Sequence, residues 1–185
     1  MTSNDGKFRE ISQQMREHGY ELEHIKTTYP EIQADSIDET IVPGLKWLME
    51  RYNRPMMIDD SGLFIDALNG FPGVYSAFVF KTVGCDGILK LMRDVKYRSA
   101  RFECCIGFML PGGEPSITKG IAKGSISAMK AGISGFGYDP VFIPEGYTKT
   151  YAQIDVSEKN KISHRGRAIS QFLKELPRLM PQTES

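Results

Sequence analysis

Two strand-like runs, Ala100 to Leu110 and Ile117 to Ile126, are separated by Pro111-Gly112-Gly113, and this arrangement most limits the folds open to the chain. Proline ends a strand because it lacks a ladder donor, and paired glycines permit a tight reversal, so the two runs predict an antiparallel hairpin. Around it the periodicity changes. Phe8, Ile11 and Met15 recur at helical spacing ahead of Gly19, and Ala168, Ile169, Phe172, Leu173 and Leu176 do the same after Ser163. Strands interspersed with helices predict an α/β architecture with a mixed sheet.

Between these landmarks, Glu21 to Ile25 reads as a short strand and Pro30 to Asp35 as a connecting loop that carries carboxylates. Ser36 and Glu39 have the spacing of a capping box, which starts a helix with Ile41, Leu45, Leu48 and Met49 on its apolar side and requires Pro43 in the first turn. The apolar run Pro55 to Ile58 predicts a buried strand that ends in Asp59-Asp60-Ser61-Gly62 and delivers carboxylates at its carboxyl end. Phe71-Pro72-Gly73 breaks the chain, and Asp86 to Val95 reads as helical. No internal repeat or low-complexity linker divides the 185 residues, so one folding unit is expected.

Bulk charge excludes some partners. Lys plus Arg and Asp plus Glu both number 23, so no global field draws the chain to polymeric nucleic acid or an acidic membrane face, and an anion must be captured locally. No apolar run approaches the roughly 20 residues of a membrane span, and the N-terminus lacks a signal-like apolar region. Cys85, Cys104 and Cys105 offer neither a disulfide framework nor a Cys-x-x-Cys site. They read as buried thiols of a reducing, cytoplasmic compartment.

Four clusters carry candidate chemistry. Asn4-Asp5-Gly6-Lys7 puts a flexible backbone, helix N-terminal amides and an ammonium group together, which suits a phosphate, although an ordinary capped helix start has the same residues. Asp59 and Asp60 are strand neighbours that face opposite ways, so one enters a site and the other supports it or points elsewhere. Lys159, Lys161, His164, Arg165 and Arg167 crowd near a helix start, as a solvated basic face or as a polyphosphate neutraliser. Phe136 and Tyr138, with glycines beside them and Asp139 following, can stack on a flat base or fill a core.

In order along nearly the whole chain, Thr2-Ser3-Asn4-Asp5-Gly6-Lys7, Asp59-Asp60-Ser61-Gly62-Leu63 with Pro72-Gly73-Val74-Tyr75-Ser76, Gly135-Phe136-Gly137-Tyr138-Asp139-Pro140-Val141-Phe142, and Glu158-Lys159 with Ser163-His164-Arg165 resemble the motifs of the inosine triphosphate pyrophosphatase family. The resemblance implies an elongated central sheet flanked by helices, with two lobes around a nucleotide cleft. It implies that Thr2, Ser3, Asn4, Asp5, Gly6 and Lys7 hold a triphosphate and that Glu31 and Asp60 bind Mg²⁺, with Asp60 also the proton acceptor. Ser61, Phe136, Gly137, Tyr138, Asp139 and Lys159 are then nucleotide contacts, and His164 with Arg165 read the base. The implied reaction converts the triphosphates of non-standard purines such as inosine and xanthosine to monophosphate and pyrophosphate, in a homodimeric enzyme.

One departure from the family pattern is an apolar strand ahead of the phosphate loop, expected to be missing or shortened because Thr2 follows Met1 directly. Two rival readings stay open: a related pyrophosphatase with another base preference, and a nucleotide-binding module that has lost catalysis.

Overall fold

The hairpin forms as its sequence dictates. In a computed structural model that describes residues 2, 4–27, 29, 32 and 34–180, β3 (Ser99–Met109) and β4 (Ser116–Ile126) pair antiparallel from Ser99 opposite Ser125 to Phe108 opposite Ser116. On the other side of β3 lies β1 (Met56–Ile65), paired along its whole length from Met56 opposite Met109 to Ile65 opposite Ala100. Short β2 (Pro72–Gly73) and β5 (Phe142–Pro144) complete the five-stranded order β2-β1-β3-β4-β5. Every ladder among the described residues is antiparallel. The α/β class is as expected; the parallel component expected of a mixed sheet does not occur among those ladders.

Helices α1 (Asp5–Glu17) and α6 (His164–Leu179) cover one face, and α2 (Ile37–Tyr52) covers the other. The two-residue period of β3 shows how both faces are filled: Cys104 joins the core under α1 and α6 with Ile106, Phe108 and Phe172, while Cys105 joins the core under α2 with Ile41, Leu45 and Ile58. All three cysteines are free and buried, and burial pushes the Cys105 thiol up to about 12. A third core, around Phe102, Tyr138, Phe142 and Tyr151, is enclosed by α3 (Ser76–Thr82), α4 (Gly84–Leu91) and the turns on either side of β5. The last two helices, α5 (Val156–Ile162) and α6, meet at Ser163, whose hydroxyl accepts from Gly166 N.

The seat of α6 on β4 requires Gly120. A β-carbon there would stand 2.1 Å from the His164 carbonyl oxygen and 2.4 Å from Ala168 N, so helix backbone lies directly on strand backbone. Ala168, Ile169, Phe172 and Leu176 are buried in consequence. Each of the three larger side chains contributes roughly 1.5 to 3 kcal/mol by leaving water.

Several local expectations are corrected. Residues 20–27 form no strand; between them and Met56 to Asp59 lies a largely apolar cavity of about 250 Å³ lined also by Phe8, Ile11, Phe108 and Phe172, so the sheet does not extend to this segment. β1 does not stop at Ile58 but runs through Asp59 to Ile65, since pairing with β3 continues past the carboxylates. Ser36 precedes α2 but makes no capping box: its hydroxyl donates to Glu39 Oε1 at 2.9 Å. Pro43 lies well inside α2 rather than in its first turn. The helix expected over 86–95 begins at Gly84 and ends at Leu91. No helix among the described residues is long and apolar enough to cross a membrane.

Candidate active site

α1 begins with the cap its sequence promised. Asn4 Oδ1 accepts from Gly6 N at 2.9 Å and Lys7 N at 3.1 Å, and Thr2 Oγ1 accepts from Asn4 N at 3.2 Å. This turn aims Lys7 across the edge of the sheet, where its ammonium lies 3.4 Å from Asp59 Oδ2 and 3.7 Å from Asp60 Oδ1. Asp5 points the other way, to Lys26 Nζ at 2.7 Å. Gly6 is pressed against Phe136; a β-carbon would meet the ring at 2.7 Å, so the loop and the aromatic segment 136–139 touch directly. Ser3 and Glu31 lie outside the described residues.

Strand alternation separates the two carboxylates, as expected. Asp60 shares a face with its ladder partner Cys105 and lies 3.3 Å from Thr40 Oγ1 of α2, with a third of its side chain exposed. Asp59 and Ser61 face α6 and meet Arg165: Nε donates to Asp59 Oδ2 at 3.3 Å and Nη2 to Ser61 Oγ at 3.1 Å. Arg165 Nη1 donates to Glu10 Oε2 at 2.6 Å, and the other Glu10 oxygen accepts from Lys159 Nζ at 2.8 Å. Lys159 completes the chain with Asp139 Oδ2 at 2.7 Å, and that oxygen also accepts from Phe136 N. A buried string of alternating charge thus joins α1, β1, the 136–139 loop, α5 and α6.

The charge states follow from the neighbours. Burial pushes the Glu10 and Asp59 carboxyls up, but the cations beside them outweigh it: Arg165 and Lys159 for Glu10, Lys7 and Arg165 for Asp59, so both are held below the usual carboxylate range. Burial alone would lower Lys7; Asp59 and Asp60 overcome it and raise it. At Asp139 burial wins over Lys159 and the carboxyl is raised. His164, stacked on Phe102 with ring centroids 4.5 Å apart, is pushed far below ordinary imidazole by burial and by Arg165 and Lys159, so the ring is neutral. Its Nδ1 and the Asp59 Oδ1 atom are buried and have no hydrogen-bond partner among the described residues.

A cavity of about 160 Å³ opens onto this assembly, lined by Asn4, Lys7, Asp60 and Ser61 together with Phe136, Gly137, Tyr138, Asp139, His164 and Arg165. Thr2 lines the apolar cavity instead, and Lys159 lies behind Phe136, 4.9 Å from its ring centroid and 3% exposed, outside the lining. Asp139, Tyr138 and Phe136 are held by the protein itself: Tyr138 Oη donates to Ser76 O at 3.1 Å. No group of three or more His, Cys, Asp or Glu among the described residues could cage a metal. Asp60 offers one partly exposed hard-oxygen donor, which fits a Mg²⁺ ion that takes most of its ligands from water and phosphate.

Sequence reasoning passed over Glu10, and it assigned Asp59 no definite role; yet both anchor the network. The available signal at Glu10 was its position three residues after Lys7, a carboxylate on the same helical face that buries Ile11. Phe102, Phe80 and Lys81, which also line the cavity, carried no local pattern.

A cation and a carboxylate that share one cleft with a glycine-flanked aromatic segment and a neutral imidazole define a nucleotide-handling α/β protein. The chain belongs to the Ham1 family, whose model matches residues 1–175. It is 48% identical over 172 residues to the dITP/XTP pyrophosphatase of Thermococcus kodakarensis, covering 93% of this chain and 92% of that one. It is 47% identical over 172 residues to the enzyme of the same name from Pyrococcus horikoshii, with the same shares covered. Among solved structures, a HAM1 protein from Coxiella burnetii superposes with a TM-score of 0.82 at 31% identity over 96% of both chains, and the Staphylococcus aureus Ham1 protein with 0.79 at 28% identity over 97% of both.

Proposed function

We propose that the protein hydrolyses the triphosphates of non-standard purines, such as inosine and xanthosine, to monophosphate and pyrophosphate, and so cleanses the nucleotide pool. The observation that carries this reading is the single cleft in which Lys7 and Asp60 meet the 136–139 loop and His164. Relatives that bear the name dITP/XTP pyrophosphatase at 47–48% identity support the substrate class.

In this reading Lys7 neutralises phosphate oxygens, and Asn4 keeps the loop in register by capping α1. Asp60, with Glu31, would hold Mg²⁺, which when bound would screen the charge on the polyphosphate. An Asp60 carboxylate oxygen takes the proton of the attacking water. The new bond forms between that water oxygen and the α-phosphorus, the bridging bond from the α-phosphorus to the leaving oxygen breaks, and pyrophosphate departs with the electron pair. Ser61 orients the phosphate end, while Phe136, Gly137, Tyr138 and Asp139 enclose the nucleotide.

Base selection rests on donors. Inosine and xanthosine present a carbonyl at purine position 6, adenosine an amino group, so a neutral His164 that donates one ring proton favours the former. Arg165 already spends Nε, Nη1 and Nη2 on Asp59, Glu10 and Ser61, and acts on the base through its remaining N–H groups. Lys159 acts from behind by fixing Asp139 and the Phe136 ring.

The proposal includes a cytoplasmic homodimer. Buried free thiols support a reducing compartment, and the exposed aromatics Phe71, Tyr75 and Phe78 support a partner surface, which sedimentation equilibrium tests. The reaction is tested by product identity: inosine or xanthosine triphosphate with Mg²⁺ yields pyrophosphate, and release of orthophosphate overturns the assignment.

A further inference from the structure

His24 belongs to none of the motif segments, yet it grips the phosphate loop. Its ring lies parallel to Phe8 of α1, with centroids 3.9 Å apart and planes 7° apart. Its Nε2 stands 2.8 Å from the main-chain carbonyl oxygen of Thr2. A carbonyl oxygen can only accept, so Nε2 carries a proton and donates it. On the far side of the ring, Nδ1 faces Asp5 Oδ1 at 3.9 Å, and Asp5 is also held by Lys26. The stretch 24–26 therefore reaches the loop at two residues.

We propose that His24 is a positioning residue for the polyphosphate: it fixes the loop that carries Lys7 by holding the carbonyl of Thr2. This rests on the reading of that loop as the triphosphate site. Among the described residues, the other main-chain hydrogen bonds of the loop are internal or run into α1: Asn4 N to Thr2 Oγ1, Gly6 N and Lys7 N to Asn4 Oδ1, Phe8 N to Asn4 O. Among the described residues, the 20–27 stretch donates to this main chain from outside, through His24. Stacking on Phe8 removes the ring's rotational freedom, so the donor is in place before the ligand arrives and no ordering cost falls on binding. A loose Thr2 would let the loop shift on the N-terminus of α1. Lys7 would then lose its place in the cleft first, since Tyr138, His164 and Arg165 are held by contacts that do not pass through Thr2.

The test uses the full chain and two probes, inorganic tripolyphosphate and inosine monophosphate, each titrated by calorimetry with Mg²⁺ present. His24→Leu keeps an apolar body against Phe8 and removes the donor; His24→Gln returns an amide donor at similar reach. The expected result is that His24→Leu weakens tripolyphosphate about five-fold, as the loss of one hydrogen bond does, while inosine monophosphate is unchanged and His24→Gln restores binding. In turnover, KM for the triphosphate rises by a similar factor at unaltered kcat. Equal weakening of both probes, no weakening of either, or failure of the Gln variant to restore binding overturns the role of His24. A wild-type chain that fails to bind tripolyphosphate overturns the loop assignment itself and the inference with it. Should His24→Leu not fold, His24→Asn, polar but too short to reach Thr2, takes its place with the same expected result.

Discussion

Glu10 and Lys159 are 149 residues apart in sequence, and their carboxylate and ammonium meet at 2.8 Å in the interior. Each also has a second partner: Glu10 meets Arg165 at 2.6 Å and Lys159 meets Asp139 at 2.7 Å. Lys159→Ala is therefore expected to destabilise the fold by about 3 to 5 kcal/mol, besides loosening the nucleotide pocket, because it leaves the buried Asp139 carboxyl without its cation and Glu10 with Arg165 alone. Urea unfolding measures this; a loss below about 1 kcal/mol would place the network on the surface scale of ion pairs.

Asp60 differs from its neighbour by its partial exposure and by the absence of Arg165 from its contacts. Asp60→Asn removes a charge but little volume, so the melting temperature should stay near that of the wild type while turnover falls at least about a hundred-fold. Retained turnover in a folded variant would move the proton acceptor elsewhere.

Gly6 leaves room for the Phe136 ring, which a β-carbon would meet at 2.7 Å. In Gly6→Ala the loop and the aromatic segment must separate, and affinity for the triphosphate should drop several-fold with the chain still folded. Pairing Gly6→Ala with Phe136→Leu vacates the contested space, so the loop should recover its seat; affinity for tripolyphosphate is the readout. No recovery in the double variant would show that the glycine serves backbone conformation alone.

His164 should mark the pH dependence of stability. Its folded value lies well below the ordinary imidazole value of 6.5, so the neutral ring contributes stability that is fully present above pH 6.5 and is lost as the pH falls toward the folded value. Glu10 and Asp59, both depressed, add a second loss at lower pH, below the ordinary carboxylate values of 4.5 and 3.8. The melting temperature should therefore begin to fall below about pH 6.5, and His164→Gln should flatten that first decline while leaving the second. An unchanged profile in that variant would assign the first decline to another group.

Periodic and punctuated elements were legible from sequence. The hairpin around Pro111-Gly112-Gly113, the apolar stripe of α6 and the helix after Asn4 form as their residues dictate, and the four ordered motif segments identified the family that the comparisons show. Short-range signals that depend on a distant partner were not. Glu21 to Ile25 has strand composition but pairs with no strand among the described residues, and Ser36 has a cap's spacing but gives its proton to Glu39. Glu10 reads as an ordinary helix carboxylate, and only the fold brings Arg165 and Lys159 to it. Burial of charge is a property of the packed whole, so the part of the site that depends on it was invisible in the linear chain.

The string from Glu10 to Arg165 has a consequence for biosynthesis. Its first member is made early and its last more than a hundred and fifty residues later, so a nascent chain on the ribosome holds Glu10 with neither cation that later neutralises it. The cleft is lined from Asn4 to Arg165, so a fragment that ends before α6 lacks His164 and Arg165 of that lining.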